Sequence, residues 1–281
     1  MSTGAERVTG PTPVERSWAG IRRRLAFIGT YVRYNVQMDM EYRTSFLTQV
    51  FGMVLNDVLW IVFWWLFFER FERVAGWSLT EIMLLYAVLT TGFGLGLGIF
   101  GNAGRLSRII AEGRLDYYLT LPKPVLLHVL ISRSHTSAWG DVLFGFLIFA
   151  VSGAASVRSF VMLVVGAILA ATVIVSFAVL VHSLAFWFGN AEGLAGQLFE
   201  AMMAFSSYPS GLFEGWAKVM LFTLIPAGFI STAPVQLVHT FHWPFFIGFA
   251  AFAAGLAFTA TRVFYAGLKR YESGNLISLR V

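Results

Sequence analysis

Apolar and polar positions alternate with helical period from the start of the ordered part of the chain. From Ser17 to about Met40, Trp18, Ile21, Leu25, Ile28, Val32 and Val36 recur every three or four residues, so they share one helical face. Arg22, Arg23, Arg24 and Arg33 lie mostly off that face. Residues 17–43 are therefore expected to form an amphipathic helix. It either lies in a membrane interface with its arginines among headgroups, or packs on the protein's own surface. Residues 1–16 are polar and expected to be disordered. No apolar run lies near Met1, so no cleaved signal peptide is expected.

Long apolar runs follow. They lie at about 44–68, 80–103, 133–152, 159–188, 192–208 and 242–266, and each is long enough to predict a membrane-crossing helix. A further stretch, 212–238, is apolar but interrupted by Pro226 and Pro234. The pattern predicts an all-α polytopic membrane protein, with a transmembrane domain over 44–266. It has six crossings, an N-terminal interfacial helix, an outer re-entrant helical hairpin at 212–238 and a polar tail at 267–281.

Composition supports the bilayer as solvent. Of 281 residues, 57% are hydrophobic and only 12% charged, against roughly half and a quarter in ordinary soluble domains. This excludes a soluble globular enzyme and a disordered chain. Charge then orients the spans. The net charge is +5, and with six crossings sixteen of the twenty Lys and Arg fall on the side of both termini. Arg70, Arg73, Arg158 and Lys218 fall on the other. Basic residues mark the cytoplasmic side, so both termini are expected inside. A full crossing by 212–238 would weaken this bias, which favours a re-entrant segment there. Broken helices at membrane depth survive where protein or a water cavity surrounds them. The basic excess thus reads as membrane topology, and no nucleic-acid partner is expected. With no cysteine, disulfides and thiolate metal sites are excluded.

Few motifs carry catalytic chemistry. Gly96 to Gly101 match GxGxxG, but inside an apolar span, where a dinucleotide site has no βαβ context. Gly92, Gly94, Gly96 and Gly98 instead form two small-xxx-small pairs that let helices approach closely, or act as a hinge. No P-loop and no GxSxG elbow occurs. His239 and His242 resemble a metal pair but lack a third ligand, and read better as an interfacial pair before the last span. No catalytic residue, metal site or resident cofactor is expected on this chain.

Three acids inside apolar runs carry more information. Asp57 lies midway along the first run, Asp141 near the middle of the third and Glu200 in the fifth. A charge at the bilayer centre costs about 2.5–3.5 kcal/mol on insertion scales, and no Lys or Arg lies at matching depth in the sequence. Two readings stand: polar glue between helices, or the lining of a path for a cationic or amphipathic substrate.

The loop at 105–124 mixes both charge signs with apolar side chains. A short helix is expected over about 105–111, a break at Gly113, and a second short piece carrying Leu115, Tyr118 and Leu119 before Pro122 and Pro124. Such a loop suits docking onto another protein, or rests on lipid.

Glu112-Gly-Arg-Leu-Asp-Tyr-Tyr-Leu-Thr-Leu-Pro-Lys-Pro124 resembles the G-x-LD-x-x-L-x-x-P loop of ABC-2 type transporter permeases. Tyr208-Pro209, Ile225 to Ile230 and Pro234 resemble the proline-marked segment of one bacterial exporter branch of that family. The stretch from Gly267 to Asn275, with Tyr271 and Ser273, resembles its C-terminal signature. The resemblance implies one transmembrane half of an exporter in a bacterial inner membrane. That half pairs with a second permease, identical or related, and docks cytoplasmic ATPase subunits that hold the ATP and magnesium. Residues 105–121 would include the coupling helix, with Arg108, Glu112, Gly113, Arg114, Leu115 and Asp116 at or near the ATPase. Pro209, Pro226 and Pro234 would shape the outer re-entrant hairpin. The residues alone leave two other classes open: an ion-coupled transporter using Asp57, Asp141 and Glu200, and a membrane scaffold or sensor without transport.

Overall fold

The computed structural model describes residues 13–189, 191–239 and 242–271, and the described residues are helical with no sheet. The N-terminal helix α1 (Pro13–Glu41) meets α2 (Arg43–Phe68) at a kink on Tyr42. It begins at Pro13, earlier than the pattern predicts; proline is well suited to a first helical turn, where its missing N–H has no partner to lose. Next comes α3 (Leu79–Ile99), opened by a reciprocal cap in which Ser78 and Glu81 satisfy each other's backbone N–H groups. The short helices α4 (Leu106–Ala111), α5 (Leu115–Leu119) and α6 (Val125–Ile131) form the connection to α7 (Ala138–Val151). The rest of the chain is α8 (Val157–His182), α9 (Ala185–Phe188), α10 (Glu192–Ser206), α11 (Gly215–Thr223), α12 (Ala227–His239) and α13 (Trp243–Leu268).

Four of these are long and apolar enough to cross a membrane by themselves: α2, α3, α8 extended through α9, and α13. The bent pair α11–α12, folded by 77° around Pro226, makes a fifth if counted as one span. Two of the six predicted spans are shorter than expected. α10 has 15 residues. The run at 133–152 is not one helix: α7 has 14 residues and residues 132–137 are non-helical. Its polar start, Ser132 to Ser137, competes with helix formation by local hydrogen bonding. The backbone is satisfied elsewhere, because His135 N–H donates to the carbonyl of Leu97 at 3.1 Å, one of the groups left open where α3 ends.

The core is built on α3 and α8. α3 packs between α7 and α8, and α8 also carries α10, α12 and α13. Glycine makes this possible. Gly92 and Gly96 face Ala167, Ala170, Ala171 and Val175 of α8, while Gly94 and Gly98 face Ala138, Trp139 and Val142 of α7. A methyl at Gly94 would stand 2.6 Å from the carbonyl oxygen of Ala138. The helices therefore touch backbone to backbone, the contact that drives association in lipid. Pro234, inside α12, rests on Gly166 of α8. α12 is thus sequestered between α8 and α3, while α11 lies exposed, with Trp216 at its surface.

α1 is held to the protein by one face. Tyr31 hydroxyl meets His128 Nε2 at 2.6 Å, Asn35 donates to the carbonyl of Ile131 at 3.0 Å, and Thr136 donates to Asp39 at 3.0 Å. These three positions are spaced by four, one stripe of a helix. Ile21 and Leu25 of the predicted apolar face remain exposed, and the side chain of Trp18 lies outside the described residues, as do residues 1–12. The tail is described only as far as Tyr271, so Ser273 and the rest of its signature also lie outside.

Candidate functional site

A cavity of about 660 Å³ runs alongside α3, walled by α2, α7 and α10. Its size falls in the range of about 300–1,000 Å³ usual for small-molecule sites. Asp57, Asp141 and Glu200 all line it, so the fold brings together three acids that lie 84 and 59 residues apart in the sequence. They are not equivalent. Asp57 and Asp141 are 4% and 8% exposed, and their carboxyl groups lie against each other with the Asn56 side chain beside Asp57. Asp57 Oδ2 is buried with no hydrogen-bond partner among the described residues. Glu200 is exposed on α10, so the cavity opens on that side. Asp141 belongs to the first turn of α7 rather than the middle of a span.

The two ends of the cavity differ. At one end Trp60 and Tyr86 close it. Trp64 Nε1 donates to Tyr86 hydroxyl, which donates to the carbonyl of Ser207, each at 3.2 Å. Trp60 and Trp64 both meet the ring of Tyr208 edge-on. This cluster joins α2, α3 and the end of α10. Sequence reasoning did not single it out; the density of aromatics at 60–68 was the available signal. At the other end stand Arg105, His135 and His182. Arg105 is the only Lys or Arg among the lining residues.

That second end adjoins the α4–α5 loop. Gly113 separates the two helices with φ +72°, a left-handed turn that suits glycine. From α4, Arg108 Nη2 pairs with Glu192 Oε1 at 2.7 Å, reaching the first turn of α10. Ser107 meets His182 Nδ1 at 2.8 Å, reaching the end of α8. Thus adjacent residues of α4 hold two helices that contribute to the cavity wall. Glu112 and Arg114 pair with each other at 2.8 Å and are exposed.

The buried side of the loop corrects one expectation. Leu115, expected at an ATPase contact, is 0% exposed and anchors α5 in this chain's own core. Tyr117 and Leu119 are the exposed apolar residues of α5, at 65% and 47%. Tyr117 was missed, because the pattern of a five-residue helix does not say which side faces out. Asp116 is half-buried. Tyr271, just past α13, reaches back over this turn: a side-chain carbon at Gly113 would lie 3.7 Å from its hydroxyl. Burial, then the Asp116 carboxylate, push that phenol up to about 12.

Proline positions complete the picture. Pro209 precedes the turn after α10, Pro226 marks the bend between α11 and α12, and Pro234 is internal to α12. Among the described residues no group of three or more His, Cys, Asp or Glu could hold a metal ion; the side chain of His239 lies outside the described residues.

A family model described as "ABC-2 family transporter protein" matches residues 54–274. No curated protein matches the chain.

Proposed function

The chain belongs to the ABC-2 transporter family, a family of membrane transport components, and on that premise we propose that it is an exporter permease for a hydrophobic or amphipathic substrate, drug-like or lipid-like. It crosses the bacterial inner membrane six times, with α7 and α10 as the short crossings, α11–α12 re-entrant on the outer side, and both termini in the cytoplasm. A second permease, identical or related, completes the path. Separate cytoplasmic ATPase subunits bind ATP and Mg²⁺, and no catalytic residue is assigned here.

The observation that carries this reading is the mechanical link from loop to cavity. The exposed part of α4–α5 offers Glu112, Arg114, Tyr117 and Leu119 to a partner. Beside them the exposed Arg108 pairs with Glu192 of α10, and behind them the buried Ser107 meets His182 of α8. A push on the loop when two ATPase domains close would shift the walls of the cavity directly. Gly113 supplies the hinge, and Tyr271 seats Asp116 against the body of the protein. The aromatic cluster at the far end closes the path outward until α2 and α10 separate, which gives alternating access.

Co-expression with the ATPase of a neighbouring reading frame tests this. The two proteins should copurify, and substrate should stimulate ATP hydrolysis. Tyr117→Glu and Asp116→Lys should weaken pairing. Arg108→Ala should leave pairing intact and blunt stimulation, with recovery in the charge-swapped pair Arg108→Glu, Glu192→Arg. Normal stimulation in all of these variants would overturn the coupling assignment. The convergence of Asp57, Asp141 and Glu200 on one cavity favours one second reading, an ion-coupled transporter. It requires transport that follows the proton gradient and persists without any ATPase.

A further inference from the structure

Two features of the cavity demand a ligand of one sign. Asp57 Oδ2 lacks a hydrogen-bond donor although it is buried, and Asp141 stands against it. A buried carboxyl oxygen left without a donor costs free energy. Three acids line the cavity against one guanidinium, and Arg105 sits at its loop end, beyond α3. The walls between are apolar and aromatic: Trp60, Tyr86, Phe93 and Phe199. Ring faces of this kind pack an apolar body and attract a cation.

We infer that the cavity is a receptor for a protonated amphipathic amine, whose ammonium N–H groups sit between Asp57 and Asp141 and whose apolar body lies against Trp60, Phe93 and Phe199. A primary ammonium brings positive charge to the pair and N–H donors to Asp57 Oδ2, which has none within hydrogen-bond distance. Glu200, exposed where the cavity opens on α10, adds a third acidic group on the way in. This narrows the substrate class and rests on the permease reading for its role in transport, but the binding site does not depend on the ATPase.

The test uses the full chain in lipid nanodiscs and three fluorescent probes with the same fluorophore: dansylcadaverine (cationic), its N-acetyl derivative (neutral) and dansyl-6-aminohexanoate (anionic). Empty nanodiscs subtract partitioning into lipid. The cation should bind at least about tenfold tighter than the neutral probe, the order of one charge-assisted hydrogen bond, and the anion weakest. In Asp57→Asn, Asp141→Asn the cation should fall to the affinity of the neutral probe, which itself should not change. Glu200→Gln should slow cation entry more than it weakens equilibrium binding. Equal affinity for the three probes, or preference for the cation surviving the double substitution, would overturn the inference. Should the double variant not fold, a diazirine-bearing alkylamine decides on the native chain: it must label peptides of α2, α7 or α10 facing the cavity, and labelling confined elsewhere overturns the site. Charge discrimination in a chain that never pairs with an ATPase would leave the site standing and sink the permease reading. ATPase pairing and export without discrimination would do the reverse.

Discussion

Helices α2 and α3 are matched in apolarity yet live in different surroundings. In their apolar stretches 78% of α3 is buried inside the chain, against 11% of α2. The difference is one of side-chain size. α3 carries Gly92, Gly94, Gly96 and Gly98 with Thr90 and Thr91, so neighbouring backbones close on it from two sides. α2 carries Trp60, Phe63, Trp65 and Phe67, which stand exposed. In lipid, an exposed aromatic costs nothing and a small residue gains by packing. α2 is therefore held chiefly through α7, and the face it turns inward carries Asp57. The peripheral helix presents the carboxyl group; the buried helix supplies the wall behind it.

The contrast breaks most visibly at glycine. Gly94→Val forces a branched side chain into the backbone of α7 and should cost about 1–3 kcal/mol or more, read as loss of monodisperse protein or a lower Tm. A milder change probes the seam between the two helices. Trp64→Phe removes the hydrogen bond to Tyr86 and should cost about 1 kcal/mol, with faster labelling of a cysteine placed at Ser207. Smaller still is the docking of α1. Burial, then the charge of Lys123, hold the His128 imidazole below its ordinary value of 6.5. The fold favours the neutral ring, so its contribution is complete above pH 6.5 and is lost as pH falls from there through the lowered value of the folded state. Proteolysis of the α1–α2 junction should rise on acidification, and His128→Gln should flatten the profile. The smallest effect is expected at Gly52 of α2, where an added carbon meets nothing within 4 Å. Gly52→Val should stay within about 0.5 kcal/mol of the parent. A large loss at Gly52, or none at Gly94, would dissolve the distinction between the two helices.

Most of the elements were legible because their signals are local. The helical period at 17–40, the apolar runs and the break at Gly113 need only neighbouring residues to be read. The third run misled at its start: Ser132 to Ser137 are polar and stand outside the helix, and the His135 N–H pairs with the carbonyl of Leu97 across the fold. Leu115 was expected near the ATPase because it belongs to the motif that resembles a coupling loop, and only packing showed it buried.

The sequence by itself determined that this chain lives in a bilayer, since so little charge leaves no soluble core-and-surface solution. It also marked three acids and one mixed-charge loop as exceptions that need a reason. The tertiary structure alone decided that Asp57 and Asp141 share a buried contact while Glu200 lines the same cavity exposed, and that α4 touches α8 and α10 beside them. Such groupings depend on which helices lie side by side. In a membrane that choice is made by close packing of small residues rather than by hydrophobicity, which the apolar spans have in common.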